Sequence, residues 1–418
     1  MKNTTRYDLS DRLFHFFRDV NISSGDAPSV PEHLGWGNVN EDVNWSALFM
    51  LRCAIRQCRL WATWSRRKGV RTIYGSAPAV CFTEMPLAAL LEAGEARRSR
   101  GEAMSPFAIV LPKHKMFALG ARPVIYGLDD QYVSIPNGKD GGPRLIPPER
   151  LPTQEQYRYV TFNPTGTYPV DWTHEREWRW PYRGDLTKTE AQLAEFGVID
   201  EAEDMPGLDL SNPSLYGMGV LVETAIEANW IVHDLLSMID RGVVSRSQFM
   251  FVLKGKELTD RESLRAPSEV EKAIASASVD LEPYFSLSAS EDATFENNFK
   301  NAVTQVDSEH PYHESGEPGS VWLWLLDNTH TLTRALLKKG RVIVSRDRRY
   351  LAALPEFSAT RSLRQREEMV RALADRITRQ YGIECGYFSV LNSCDPDDLP
   401  FYGDAHLDNS MYFNVSWE

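Results

Sequence analysis

Short β-type runs broken by turns, with few helical stretches between them, limit the first 182 residues to an α+β arrangement. Residues 44–67 carry apolar side chains at helical spacing and predict a helix that ends at Lys68 and Gly69. A second helix is predicted from Pro86 to Glu95. Short strands are predicted at VRTIYG, AVCFTE, FAIVL, RPVIYG and YRYVTFN. We therefore expect an α+β fold.

The last hundred residues predict a separate, smaller module. SVWLWLLDNTHTLTRALLKKG is helical in period and ends at Gly340, and RVIVS reads as a strand. A helix over SLRQREEMVRALADRITRQYG and a strand at CGYFSVLN follow. This alternation favours a small α/β or α+β domain.

Changes in composition predict four segments. An acidic, turn-rich stretch follows residue 182, a strand, helix and strand come next, and polar residues dominate from 254 to 318. The expected segments are a first domain at 1–182, an acidic insert with a strand-helix-strand extension at 183–260, a polar linker at 261–318 and a C-terminal accessory domain at 319–418.

Composition indicates a folded protein of the cytoplasm with no membrane partner. The chain has 418 residues, 42% hydrophobic and 25% charged, and lacks both a signal peptide and an apolar run of the roughly 18 residues that span a bilayer. The formal net charge of -12 does not favour non-specific electrostatic binding of nucleic acid, although nucleic acid is not excluded as a substrate.

No metal site is assigned. The five cysteines are scattered and form no C-x-x-C pair, which argues against a disulfide framework or a zinc knuckle. Acidic residues near the C-terminus, with His406, fit a solvated loop as well as a hard-cation site, and no complete calcium-loop pattern is present.

The segment DWTHEREWRWP, residues 171–181, concentrates charge and aromatic rings. On a strand, Glu175, Glu177 and Arg179 point to one face, while Arg176 and the following tryptophans point to the other. Two interpretations stay open. The segment is either an edge strand with an exposed salt-bridge ladder or one wall of a cleft in which paired carboxylates handle a polar substrate.

Four separated fragments in the first half of the chain carry polar and aromatic residues that could form a site. They are LFHFFRD with His15 and Arg18, IYGSAPAVCFTEMP with Tyr74, Thr83 and Glu84, RPVIYG with Tyr126, and the EREWR segment itself. Each alone is typical of ordinary structure, such as a core histidine or a helix start with its cap.

Taken together, these fragments resemble the AbiGi-like abortive-infection families of anti-phage proteins. The resemblance covers roughly residues 10–182, in a histidine-phenylalanine start, the VCFTE-x-P strand end, the P-V-x-Y strand and the late E-x-E-W-R. Those families look like distant members of the ADP-ribosyltransferase superfamily. The tail YGIECGYFSVLNSCDPDDLPFYGDAHLDN also looks like a bacterial domain of unknown function that accompanies such regions.

The resemblance implies NAD+ as a substrate, bound between small split sheets of mixed or antiparallel strands flanked by helices. His15 then holds the adenosine-side ribose, Tyr74 or Tyr126 stacks near nicotinamide, and Thr83 contacts a ribose. Glu177 bonds the nicotinamide ribose and Glu175 lies beside the acceptor. Arg18 and Glu84 complete the cofactor-binding set, and Arg179 orients Glu177 or meets a phosphate.

Physical chemistry supports Glu177 separately from the resemblance. Cleavage of the nicotinamide-ribose bond builds oxocarbenium character, so a carboxylate bonded to the ribose hydroxyl stabilises charge that appears only in the transition state. A second carboxylate nearby can accept the proton of the incoming nucleophile.

Three functions remain as hypotheses. The first is an ADP-ribosyltransferase toxin that modifies a protein or nucleic acid during phage infection, with an antitoxin or a phage trigger as a further partner. The second is an NAD+ glycohydrolase acting in the same cleft. The third is a non-catalytic recognition or antitoxin-like protein.

Overall fold

The computed structural model describes residues 9–21, 44–67, 70–102, 104–128, 144–165, 169, 171–189, 191, 205–312 and 316–403. Contacts divide the chain into two compact units, Met1–Ile231 with Ser245–Val279, and Val232–Val244 with Asp280–Glu418. Of the described helices, none is long and apolar enough to cross a bilayer.

The first unit contains fifteen described strands, most of them short. They are β1 (Arg12–Phe16), β2 (Val20–Asn21), β3 (Asn44–Trp45), β4 (Arg59–Trp61), β5 (Arg66–Arg67), β6 (Val70–Arg71), β7 (Ala79–Thr83), β8 (Ala108–Pro112), β9 (Arg122–Pro123), β10 (Ile125–Leu128), β11 (Tyr159–Phe162), β12 (Glu177–Pro181), β13 (Gly207–Asp209), β14 (Met218–Val222) and β15 (Phe249–Lys254).

Helices flank these strands. They are α1 (Ala47–Arg56), α2 (Leu87–Ser99), α3 (Lys113–Ala118), α4 (Ala225–Asp240) and α5 (Pro267–Ser276). Residues 225–231 of α4 belong to the first unit and residues 232–240 to the second.

A seven-stranded mixed sheet forms the centre of the first unit, in the order β15-β14-β8-β1-β7-β12-β9. Strands β14 and β15 pair in parallel, and the other neighbours are antiparallel. A separate parallel pair joins β10 to β11. Apolar side chains of α2 and α5 cover one face of the large sheet, where Leu87, Leu91 and Ile274 pack with Phe14 and Phe251.

Two elements of the first unit differ from the prediction. The helix expected over 44–67 ends at Arg56, because Cys58 has a left-handed φ of 54° and β4 then pairs with β13. The single strand expected at RPVIYG is divided between β9, which joins β12, and β10, which joins β11. In both places long-range strand pairing overrides the local pattern.

The second unit is built on an antiparallel five-stranded sheet in the order β17-β18-β16-β19-β20. Its strands are β16 (Gly319–Leu325), β17 (Val342–Val344), β18 (Tyr350–Ala352), β19 (Cys385–Leu391) and β20 (Pro400–Gly403). Its helices, besides the end of α4, are α6 (Ala289–Glu309), α7 (Thr331–Lys338) and α8 (Leu363–Tyr381). Because all of these strands pair antiparallel, this module is an α+β domain rather than an α/β domain.

The first part of the helix predicted over SVWLWLLDNTHTLTRALLKKG is wrong, because residues 320–325 lie in β16, while its second part forms α7. Val321, Leu323 and Leu325 pack in the core with α6 and α8, while Trp322 and Trp324 are buried on the opposite face. A strand buried on both faces reads as a continuous apolar run, which sequence periodicity does not distinguish from a helix.

Residues 261–318, expected as a polar linker, contain α5 and α6. Helix α6 begins with a capping box in which Ser288 and Glu291 exchange hydrogen bonds, and it buries Phe299, Val303 and Val306 in the core of the second unit. The class of the whole chain is α+β, as the sequence predicts. Of the acidic tail, Asp404, His406 and Asp408 lie outside the described residues.

Candidate active site

Most of the predicted site residues line one cavity of about 580 Å³ in the first unit. Its volume lies within the range typical of small-molecule sites. From the predicted set, the residues that line it are His15, Tyr74, Thr83, Glu175, Glu177 and Arg179. The cavity therefore joins side chains from β1, β7 and β12 with others from the connecting segments.

The pairing of β12 with β7 explains why Glu177 and Arg179 share this cavity. Glu177 lies opposite Thr83, and Arg179 lies opposite Cys81. Side chains of directly opposed residues point to the same face of a sheet, so all four belong to one wall. Strand β12 is paired on both sides, with β7 and with β9, so the first of the two interpretations, an exposed edge strand, is wrong.

Glu177 and Arg179 form a two-point ion pair. Arg179 donates from Nε to Glu177 Oε1 at 2.7 Å and from Nη2 to Oε2 at 3.2 Å. Its Nη1 donates to the backbone oxygens of Tyr157 and Tyr159 at 2.7 and 3.2 Å. Arg179 is 4% exposed. Burial is the largest single effect and lowers its pKa, but the charge and hydrogen bonds of Glu177, together with Cys81, raise it, so the net shift is upward. The ladder is thus buried rather than exposed.

Glu175 reaches the cavity from a turn rather than from the strand. It ends a short 3-10 turn, Thr173–Glu175, and Arg176 follows with a left-handed φ of 46°. The Thr83 hydroxyl donates to the Glu175 backbone oxygen at 2.5 Å, and Arg97 Nη1 donates to Glu175 Oε1 at 3.1 Å. These two contacts hold Glu175 at the cavity, and the alternation of side chains along a strand does not.

His15 is held in one orientation by the neighbouring strand. Its Nδ1 lies 2.8 Å from the backbone oxygen of Cys81, and its ring makes edge contacts with Phe17 and Phe82. Burial lowers the pKa of His15 to about 4, an effect only partly offset by the Cys81 hydrogen bond. At neutral pH the ring is therefore neutral, with the proton on Nδ1 and an acceptor lone pair on Nε2.

The two tyrosines proposed for stacking are both engaged. Tyr74 is 1% exposed, with its hydroxyl 3.2 Å from Thr161 Oγ1 and the Arg144 guanidinium carbon 4.2 Å from its ring centre. Tyr126 is outside the cavity wall, and its hydroxyl donates to the backbone oxygen of Trp172 at 3.1 Å. Tyr74 is therefore covered within the wall, and Tyr126 does not line it.

Glu84 and Arg18 do not join the others. Glu84 follows Thr83 and faces the opposite side of the sheet, where it accepts hydrogen bonds from Lys113 Nζ and Trp178 Nε1, each at 2.7 Å. Arg18 is exposed beyond the end of β1 and is absent from the cavity wall. Strand alternation separates Glu84 from Thr83, because adjacent residues point to opposite faces.

Among the lining residues outside the predicted set, two arginines and a tryptophan are suited to contact a ligand: Arg71, Arg144 and Trp172. Arg144 donates from Nη1 to the Arg71 backbone oxygen at 3.1 Å, which holds the two arginines side by side. Trp172 is half-buried and lies in the DWTHEREWRWP segment, three residues before Glu175. Only this proximity offered a sequence signal, since Arg71 ends the short strand β6 and Arg144 comes from a connecting segment 73 positions away.

Cys81 lines the same cavity, and its thiol is held in the protonated form. Burial, and next the nearby Glu177 charge, raise the pKa of its thiol far above the usual range. A thiol held protonated is a poor nucleophile and a poor metal ligand. Among the described residues, no group of three or more His, Cys, Asp or Glu side chains is arranged to hold a metal ion.

Comparison with known proteins finds a family match for the C-terminal part of the chain. Residues 287–415 match a family described as a protein of unknown function, DUF4427. The match begins just before α6 and covers most of the second unit, so the C-terminal part has the expected character of a domain of unknown function. No curated protein and no solved structure matches the chain.

Proposed function

We propose that the first unit is an NAD+-dependent ADP-ribosyltransferase that acts as a toxin or effector in anti-phage defence and modifies a protein or nucleic acid in the bacterial cytoplasm. The observation that carries this proposal is the convergence of His15, Glu175 and Glu177 on one cavity of about 580 Å³. Binding an extended dinucleotide requires polar groups from several elements to meet in this way.

The arginines of the wall suit the diphosphate of NAD+. Arg71 and Arg144 line the cavity together, and the planar guanidinium group matches phosphate oxygens in two-point hydrogen bonds. His15 suits the neighbouring ribose. Its Nδ1 is occupied by Cys81, so Nε2 is the atom that accepts a hydrogen bond from a ribose hydroxyl.

Glu177 is the residue proposed for the bond-breaking step. Arg179 uses two of the lone pairs of the carboxylate, and the remaining ones can accept a hydrogen bond from the nicotinamide ribose. As the carbon-nitrogen bond breaks, its electron pair leaves with neutral nicotinamide, and positive charge develops on the ribose. A carboxylate held ready beside that charge stabilises the transition state without reorganisation.

Glu175 is proposed for the second half of the reaction. The acceptor nucleophile forms a bond to the ribose carbon, and its proton passes to the Glu175 carboxylate. Arg97 bonds Oε1 of Glu175, so Oε2 is the atom proposed to take that proton. The trapped cation ends as an ADP-ribosyl group on the acceptor.

Two other functions compete with this one. In an NAD+ glycohydrolase, water takes the place of the acceptor. In a non-catalytic recognition or antitoxin-like protein, the Glu177–Arg179 pair serves only to stabilise the wall. Incubating purified protein with labelled NAD+ and bacterial lysate separates the three. Transfer gives nicotinamide and labelled macromolecule, hydrolysis gives nicotinamide alone, and recognition gives neither product.

A further inference from the structure

A second cavity, of about 740 Å³, lies beside the opposite face of β12. Trp178 lines it, and Trp178 alternates along the strand with Glu177 and Arg179 of the first cavity. The other walls come from α3, the start of β1, the Tyr216–Gly217 turn, β15 and α5. No step proposed above uses this cavity.

Lys115, on α3, is a buried cation without an anionic partner. It is 9% exposed, and within the described part of the chain no carboxylate lies within ion-pair distance of its Nζ. Its Nζ donates to the backbone oxygen of Tyr216 and lies over the ring of that residue. By contrast, Lys113 two residues earlier is neutralised by Glu84 at 2.7 Å.

A second cation adds to the charge on this wall. Arg12 donates from Nη1 to the Gly217 backbone oxygen at 2.9 Å, and its Nη2 is 3.7 Å from the largely exposed carboxylate of Glu271. Burial, and then the Arg12 charge, lower the pKa of Lys115. Burying a charge without a partner is costly, and a bound anion would remove that cost.

Two aromatic rings at the same cavity are open to solvent. Tyr216 is 55% exposed and Phe117 is 51% exposed. A cation supports each ring on one face: Lys115 lies over Tyr216, and the Arg122 guanidinium carbon lies 4.0 Å from the centre of the Phe117 ring. The supported rings are pre-oriented, and such rings stack well on planar groups such as nucleobases.

We propose that this cavity binds a nucleotide unit, with its phosphate at Lys115 and Arg12 and its base stacked on Tyr216 or Phe117. The volume of about 740 Å³ is sufficient for one nucleotide. Free nucleotides and the units of a single strand share this chemistry. The proposal does not depend on NAD+ chemistry in the first cavity.

Isothermal titration calorimetry on the full chain tests the site, with adenosine monophosphate, inorganic phosphate and a short single-stranded oligonucleotide as ligands. We expect Lys115→Met and Tyr216→Ala each to weaken nucleotide binding about tenfold or more. Lys115→Arg should retain most of the affinity. Lys272→Met, at an exposed lysine on α5 of the same unit, should leave it unchanged.

Comparing the affinities of these ligands also shows whether the site takes a free nucleotide or a unit of a single strand. Tighter binding of the mononucleotide supports a free nucleotide, and tighter, salt-dependent binding of the oligonucleotide supports a strand. The proposal is overturned if neither binds, if phosphate binds as well as the mononucleotide, or if Tyr216→Ala binds the nucleotide as tightly as the native protein. Because Tyr216 is exposed, its variant keeps the test valid even if Lys115→Met fails to fold.

Discussion

Arg179 fixes the Glu177 carboxylate through two parallel hydrogen bonds, at 2.7 and 3.2 Å, while its third nitrogen is anchored to the backbone of the adjoining segment. An arginine with all of its nitrogens engaged acts as a rigid support. The carboxylate therefore reaches the cavity in one orientation before any substrate binds. Catalysis that depends on a positioned charge requires this kind of preparation.

Arg179→Lys tests the support. Lysine keeps the charge but cannot bond both carboxylate oxygens and two backbone oxygens from one planar group. We expect NAD+ turnover to fall about tenfold or more, with a smaller change in KM, and the first unit to lose about 2 kcal/mol of stability. Steady-state kinetics and urea unfolding measure the two effects. Arg98→Lys, at an exposed ion pair on α2, is the matched control, and equal effects in the two variants would contradict the supporting role.

Glu175→Gln should change the products more than the rate of bond breaking. If Glu175 takes the proton of the acceptor, the variant transfers less ADP-ribose to macromolecules but still releases nicotinamide slowly, because water can intercept the cation. Parallel measurement of nicotinamide and of labelled lysate components gives the ratio. An unchanged ratio of transfer to hydrolysis would remove Glu175 from the proposed mechanism.

His15 should make the stability of the first unit depend on pH in the acidic range. Its pKa is 6.5 when unfolded and about 4 when folded, so the unfolded state binds the extra proton between these values. The contribution of His15 is full above pH 6.5 and is lost as the pH falls towards 4. With solvent in the cavity taken into account, the loss is about 2 kcal/mol.

His15→Asn keeps a donor for the Cys81 oxygen but cannot titrate. Urea unfolding between pH 4 and 7 should therefore be less pH-dependent in this variant than in the native protein. His174→Asn, at an exposed histidine, is the control and should retain the native dependence. Identical profiles for the native protein and His15→Asn would show that His15 does not titrate as described.

Limited proteolysis tests where the C-terminal domain begins. Helix α6 buries Phe299 and Val303 at 1% and 0% exposure in the core of the second unit. Cleavage should therefore occur before residue 289, and mass spectrometry should find a C-terminal fragment that retains α6. A stable fragment that begins near residue 319 would instead support the narrower domain predicted from sequence.

Part of the site followed from the sequence by simple geometry. Alternation along β12 placed Glu177 and Arg179 on one face, and the structure has them there. The same rule placed Glu175 on that strand, which is wrong because Arg176 takes a left-handed φ and ends the extended segment. A backbone reversal at a non-glycine residue leaves little trace in sequence.

Other parts of the site depend on contacts between distant segments. Arg71 and Arg144 meet through a side-chain to backbone hydrogen bond across 73 positions of the chain, and no local pattern predicts such a meeting. The strand at Gly319–Leu325 was mistaken for a helix because both of its faces are buried. Local periodicity reports which faces are apolar, but not which partners cover them.

Release of nicotinamide from NAD+ by the native protein and by Glu177→Gln, in the presence of bacterial lysate, tests the central claim most directly. Glutamine keeps the shape and much of the ground-state binding but loses the charge that stabilises the ribosyl cation. We expect turnover to fall about a hundredfold or more with little change in NAD+ affinity. Glu95→Gln, at an exposed ion pair on α2, should have native turnover, and circular dichroism should show that both variants are folded. Native turnover in Glu177→Gln, or no nicotinamide release by the native protein, would contradict the proposed function.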